Sequence, residues 1–169
     1  MKRASFAKWP CSIARTVDLL GDSWTPLVLR EAFYGIRRFD EFRESLGIAR
    51  NTLTDRLGRL VEEGLLVKEL YLSEPRRYEY VLTEKGRDFF GVLATLSRWG
   101  DRWLAGADGA PVVIRHEACG QDTHAEVVCA ECGEPLRGED SSWRMGPGYP
   151  ERLKSRPDVQ RRFRSVEGP

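Results

Sequence analysis

The sequence predicts a mainly α-helical fold with one small β-hairpin, followed by a short cysteine-bearing appendage. Three observations carry that expectation. Apolar residues recur at helical spacing through residues 12–64 and again through 83–104. Between those blocks, two β-rich runs, LLVKELYL and RRYEYVLT, flank the turn signal SEPR. Beyond the linker AGADGAP, His and Cys appear in paired knuckle spacings.

The elements follow in chain order. SIARTVDLL is a short helix with Ile13, Val17 and Leu20 on one face, Ser12 as its expected N-cap and Gly21 at its end. DSWTPLVLREAFYG restarts at once. Asp22 or Ser23 caps it, Pro26 is tolerated in the first turn, and Gly35 stops it. RFDEFRESL is a third short helix with Phe39, Phe42 and Leu46 inward, and Gly47 makes the turn. ARNTLTDRLGRLVEEG is the fourth. Its Leu53, Leu57, Leu60 and Val61 form the apolar stripe of a helix packed on a core. After the hairpin, TEKGRDFFGVLATLSRWGDRWL returns to helical spacing, with Phe89, Val92, Leu93, Leu96 and Trp99 on one side. From Arg137 onward Gly, Pro, Ser and charge dominate without a period, so residues 137–169 are expected to be a largely disordered tail.

The 169 residues carry a formal charge of +1, unevenly spread. Residues 1–105 hold 18 Lys/Arg against 15 Asp/Glu, residues 106–150 hold 3 against 8, and residues 151–169 hold 6 against 3. A body that is only slightly basic suits a nucleic-acid partner if its arginines share a face. No run of 18 apolar residues occurs and the N-terminus lacks a signal-peptide core, so the expectation is a cytoplasmic protein with no membrane partner. No phosphate loop and no nucleophile elbow occurs, and an enzyme is not expected.

Helix, tight turn, helix and hairpin is the order of a winged helix-turn-helix. On a helical wheel the side opposite the Leu stripe holds Asn51, Thr52, Asp55 and Arg59, with Arg56 on the flank. Asn pairs with adenine edges and Arg with guanine, whereas Thr52 and Arg59 suit phosphates. Arg76 and Arg77 fall at the hairpin tip, where a wing meets the DNA backbone or minor groove.

The chain resembles the HxlR family of bacterial winged-helix regulators. The matching residues run from CSIARTVDLLGDSWTPLVLREAFYGIRRFDEF through LGIARNTLTDRLGRLVEEGLL to RRYEYVLTEKG and RWGDRW, about residues 9–104. The resemblance implies one DNA-binding and dimerisation domain over 9–104, a homodimer, and transcriptional regulation through double-stranded DNA, with base contacts at Arg50 and Asn51. The excess of Phe, Leu and Trp in FFGVLATLSRWGDRWL also points to a dimer, and two-fold symmetry to a palindromic operator. Ala49 departs from the family, in which a capping Ser is common at that position. The alternative is a winged-helix protein-interaction module that does not itself read DNA. Arg50, Arg56, Arg59, Arg76 and Arg77 gathered on one face favour DNA, and an acidic surface there favours the alternative.

Cys11 precedes a helix N-terminus, a setting that stabilises a thiolate. Some members of the family sense oxidants at an equivalent cysteine, so a redox-sensing regulator is a further alternative beside a small residue buried at a dimer seam. In the appendage, HEACG and CAECG form two knuckles. His116, Cys119, Cys129 and Cys132 make a closed tetrahedral ligand set for structural zinc, in a zinc-ribbon-like module over 112–136. His124 is the weaker substitute for His116, iron the weaker metal, and free or reversibly bonded thiols the non-metal reading.

Overall fold

The computed structural model describes residues 5–163, in two compact units: residues 19–125, and residues 5–18 together with 126–163. The larger unit holds the helix-turn-helix. α1 (Ser12–Leu20) leads into it, followed by α2 (Trp24–Phe33), α3 (Phe39–Leu46) and α4 (Arg50–Glu62). The antiparallel hairpin β1 (Leu66–Ser73) and β2 (Arg76–Leu82) comes next, then α5 (Glu84–Asp88) and α6 (Phe90–Trp103). The fold is therefore mainly helical with a small antiparallel hairpin, in winged helix-turn-helix order.

The leucine face predicted for α4 lies in the core. Val28 and Leu29 of α2, Phe42 of α3, Ile48 of the turn, Leu53, Leu57 and Leu60 of α4, and Leu65 and Leu66 at the hairpin base are buried together. Each fully buried side chain of this size contributes about 1.5–3 kcal/mol, so three leucines on α4 fix which side of that helix faces inward. Phe39, Leu46 and Val61 pack at the margin of this cluster. Glu31 is also buried. It accepts hydrogen bonds from Arg30 Nε (2.9 Å) and from Ser45 Oγ (2.6 Å), tying α2 to α3 without an orphaned carboxylate.

Several local expectations are revised. The start of α1 is capped by Cys11 rather than Ser12: the Cys11 carbonyl accepts from Arg15 N–H (3.1 Å) and its sulfur lies 3.5 Å from Ala14 N. The last long helix is broken at Phe89, where Phe89 N–H bonds the Gly86 carbonyl in a tighter turn. The linker contains one 3-10 turn, Gly106–Asp108. The segment expected to be a disordered tail holds two short helices, α7 (Glu151–Lys154) and α8 (Pro157–Arg162), with Val159 buried and the rings of Tyr149 and Phe163 5.4 Å apart, edge to face. Composition does not reveal them because one buried valine and one aromatic pair are too few to show a period. Residues 164–169 of that expected tail lie outside the described residues. Among the described residues no helix is long and apolar enough to cross a membrane.

Candidate nucleic-acid interface

The turn between α3 and α4 is three residues long. Gly47 adopts a left-handed conformation (φ 61°, ψ 21°) that a β-carbon would strain. Ile48 is buried, and Ala49 is extended (φ −62°, ψ 139°) in the N-cap position of α4. Ala49 offers no side-chain cap, and its carbonyl accepts from Leu53 N–H (3.0 Å). With the Leu stripe of α4 inward, Asn51, Thr54, Asp55, Gly58 and Glu62 are left exposed. Thr54, which the helical wheel does not single out, therefore stands beside Asn51. Thr52, Arg56 and Arg59 are only half-exposed. Arg50 is exposed, its guanidinium 5.1 Å from the centre of the Phe39 ring. That stacking holds the fork at the entry of α4 and leaves its N–H edges available.

Arg56 is committed elsewhere. Its Nε forms an ion pair with Asp22 Oδ2, both side chains being about one-quarter exposed. The other oxygen of Asp22 accepts from Trp24 N–H (2.7 Å) and Thr25 N–H (3.1 Å), capping α2. Arg56 thus braces α4 on α2 rather than standing out from its flank. The sequence signals the cap, as an Asp ahead of a helix, but not a partner so distant in the chain.

The wing joins the end of α4 through one shared junction. Thr83 Oγ1 donates to the Gly64 carbonyl (2.7 Å) and accepts from Gly86 N–H (3.1 Å). Lys85 Nζ donates to the Glu63 carbonyl (2.6 Å). These hydrogen bonds satisfy carbonyls that the end of a helix leaves without partners. At the far end Arg76 and Arg77 are exposed, paired in register with Ser73 and Leu72. Arg50 and Asn51 occupy the start of α4, whereas Asp55, Arg59, Glu62 and Glu63 surround a shallow notch at Gly58 further along. Recognition helices present their N-terminal residues to base edges.

The HxlR-like helix-turn-helix family profile matches residues 19–108, more than half of the chain and all of this assembly. The chain belongs to that family. As an HxlR-like protein it is similar to the HTH-type transcriptional regulator Rv3095 of Mycobacterium tuberculosis, at 43% identity over 144 residues, 85% of this chain and 91% of that one. It is similar in structure to the transcription factor PA1607, with a TM-score of 0.74 and 36% identity over 85% of this chain and 99% of that one. It also resembles the reduced form of the redox regulator HypR, with a TM-score of 0.51 and 30% identity over 54% of this chain and 92% of that one.

Outside the HxlR-like core, the two predicted knuckles each form within their own unit. In the first, β3 (Ile114–His116) and β4 (Gln121–Thr123) make a small hairpin. His116 Nδ1 lies 3.3 Å from Cys119 Sγ, and Gly120 closes the turn at φ 67° with its N–H on the His116 carbonyl (2.8 Å). In the second, Cys129 N–H donates to the Glu134 carbonyl (2.8 Å), and Gly133 donates to the Cys129 carbonyl (2.9 Å) at φ 77°. Backbone hydrogen bonds from Cys132 and then Glu131 hold the Cys129 thiol below its ordinary value. Turns that aim N–H groups at sulfur suit a metal thiolate, so the donor set fits zinc chemically. Each pair is gathered in its own knuckle. Among the described residues no group of three or more His, Cys, Asp or Glu is assembled to hold a metal.

Proposed function

We propose that this HxlR-like protein is a transcriptional regulator that sets the first half of α4 in the major groove of double-stranded DNA and lays its wing on the phosphate backbone. The observation that carries this reading is the exposed, braced start of α4, where Arg50 and Asn51 stand clear while the wing shows Arg76 and Arg77 at its tip. In this reading Arg50 and Asn51 read bases, Thr52, Arg59 and the wing arginines bind the backbone, and Arg56 serves as a brace. Asp55 supplies an acceptor suited to a cytosine amine in this reading. Recovering genomic fragments on the purified protein tests the reading. Arg50→Ala with Asn51→Ala is expected to abolish sequence preference. Arg76→Ala with Arg77→Ala is expected to weaken binding to all sequences and to reduce the salt slope by about one for each phosphate no longer neutralised. No enrichment of any fragment by the wild-type protein sinks the DNA reading and leaves the protein-interaction module.

The regulator is proposed to act as a homodimer through α6. Phe89 and Leu93 pack against the core, but Val92, Leu96, Trp99 and Trp103 recur along one face and are 40–62% exposed. A stripe of that kind is buried by a second copy at low cost in entropy, because both helices are already formed. Two recognition helices then bind a palindromic operator with half-sites about 34 Å, or a multiple of that, apart. Leu96→Glu with Trp99→Glu is expected to sediment as a monomer; a wild-type monomer at micromolar concentration refutes the dimer.

His116, Cys119, Cys129 and Cys132 are proposed as the four ligands of one structural zinc. Support comes from the knuckle turns and the lowered Cys129 thiol. Elemental analysis of the full chain is expected to give about one zinc per chain for four ligands, and Cys129→Ser to lose it. A metal-free chain equally resistant to protease over 112–136 removes the zinc reading in favour of free thiols.

A second reading attaches to Cys11, which is exposed at the start of α1. It is proposed as the thiol through which oxidants alter DNA binding, as the similarity to a redox regulator suggests. Reversible loss of binding with a thiol oxidant, absent in Cys11→Ser, is the expected result. An equal response in that variant assigns the effect to other cysteines.

A further inference from the structure

The wing leaves the core early. Of β1 only Leu66 is buried, and of β2 Arg76 and Arg77 are exposed. A two-stranded hairpin alone is marginal in water, so something beyond the Leu66–Leu82 base must hold its direction. The residues just before α3 do so. Tyr80 N–H donates to the Arg37 carbonyl (2.8 Å), and Arg38 bridges to Glu79, so that this segment runs as a partial third strand beside β2. Glu41 accepts the Arg38 N–H (3.1 Å) and fixes that residue at the N-terminus of α3.

The Arg38 side chain then closes on both strands. Its Nε donates to Glu79 Oε1 (3.2 Å) on β2, and its guanidinium lies 4.7 Å from the centre of the Tyr71 ring on β1. Tyr71 is available because it is the extra residue of a bulge: Leu70 pairs with Tyr78 and Leu72 with Arg77, leaving Tyr71 without a partner across the strand. Bulges redirect one side chain and bend the strand that carries them. The bulge, the ion pair and the stacking meet at one arginine that also starts the helix bracing α4.

We infer that Arg38 is a positioning residue for DNA binding: clamped by Glu79 and Tyr71, it sets the angle of the wing relative to the helix-turn-helix and so places Arg76 and Arg77 on the backbone. This rests on the wing reading above. The lever is short but sufficient. Arg76 is three residues beyond Glu79, about 10 Å of strand, so a tilt of about 10° moves the tip by nearly 2 Å. That is enough to break a hydrogen bond to phosphate.

The sign of one substitution separates this role from a plain surface cation. Glu79 is an anion near the path of the backbone. If it only repelled phosphate, Glu79→Gln would tighten binding. If it holds Arg38, Glu79→Gln weakens binding. The test measures operator affinity against salt for the full chain, using a fragment recovered by the wild-type protein. Arg38→Ala and Glu79→Gln are each expected to lower affinity about three- to tenfold and to reduce the salt slope as Arg76→Ala with Arg77→Ala does. Arg38→Lys, which keeps charge but not the planar fork, stays impaired. Arg38→Ala adds nothing further in the Arg76→Ala, Arg77→Ala background. Without DNA, amide exchange at Leu72 and Arg77 rises in Arg38→Ala while that at Leu57 does not. Tighter binding by Glu79→Gln, or full rescue by Arg38→Lys, overturns the inference while the wing reading stands. Wild-type binding by the Arg76→Ala, Arg77→Ala protein overturns the wing reading itself and the positioning role with it.

Discussion

One carboxylate, that of Asp22, caps α2 with its first oxygen and holds Arg56 of α4 with its second. The N-terminus of one helix and the middle of the recognition helix are thereby referred to the same side chain. Arg56→Ala is expected to destabilise the fold by about 1 kcal/mol, since a half-buried pair of this kind exceeds a surface one. Asp22→Ala is expected to cost about 1 kcal/mol more than that, because the cap disappears too. A double-mutant cycle by denaturant unfolding should show coupling, and the salt slope of DNA binding should not change in Arg56→Ala. A reduced slope returns Arg56 to the DNA-contacting set.

Ala49 leaves the first turn of α4 uncapped. Its extended backbone is already that of an N-cap, so Ala49→Ser needs no rearrangement. The expected gain is about 1 kcal/mol, read as a higher urea midpoint with unchanged slope. An unchanged midpoint means that the first turn gains no new hydrogen bond.

Gly58 lies on the exposed side of α4, and a β-carbon added there meets nothing within 4 Å. Glycine inside a helix costs about 1 kcal/mol relative to alanine. Nothing in the fold of the chain requires it. Gly58→Ala is therefore expected to raise stability by most of that amount and to leave operator binding unchanged, because the proposed base contacts lie in the first half of α4. Weakened binding at full stability would extend the DNA contact to this turn.

Gly86 is the opposite case. A β-carbon there would sit 2.1 Å from the Leu65 carbonyl oxygen and 3.1 Å from Leu82 Cδ2. Backbone cannot yield as a flexible side chain does. Gly86→Ala is expected to cost about 1–3 kcal/mol, in the range of overpacked cores, and to loosen the junction where Thr83 joins the wing to α4. A melting temperature equal to wild type would show that α5 shifts freely.

Element order, the leucine face of α4 and the glycine turns follow from the sequence itself, because each is local. Leu53, Leu57 and Leu60 share a face through the period of a helix, and Gly47 permits the backbone the turn needs. The two knuckles are legible for the same reason: each closes within five residues of its first His or Cys. A helical wheel also puts Asn51 and Asp55 outward, but it does not separate Arg59 and Arg56 from the exposed set. Which of several arginines reaches solvent depends on what neighbouring helices offer it, and only the tertiary structure brings Asp22 to Arg56 and Glu79 with Tyr71 to Arg38. The close approach of Gly86 to Leu65 has the same origin, since the two lie far apart in the chain. Apolar periodicity records how a segment buries itself. Long arginine and glutamate side chains choose partners across several ångströms of space, and no spacing along the chain encodes that choice.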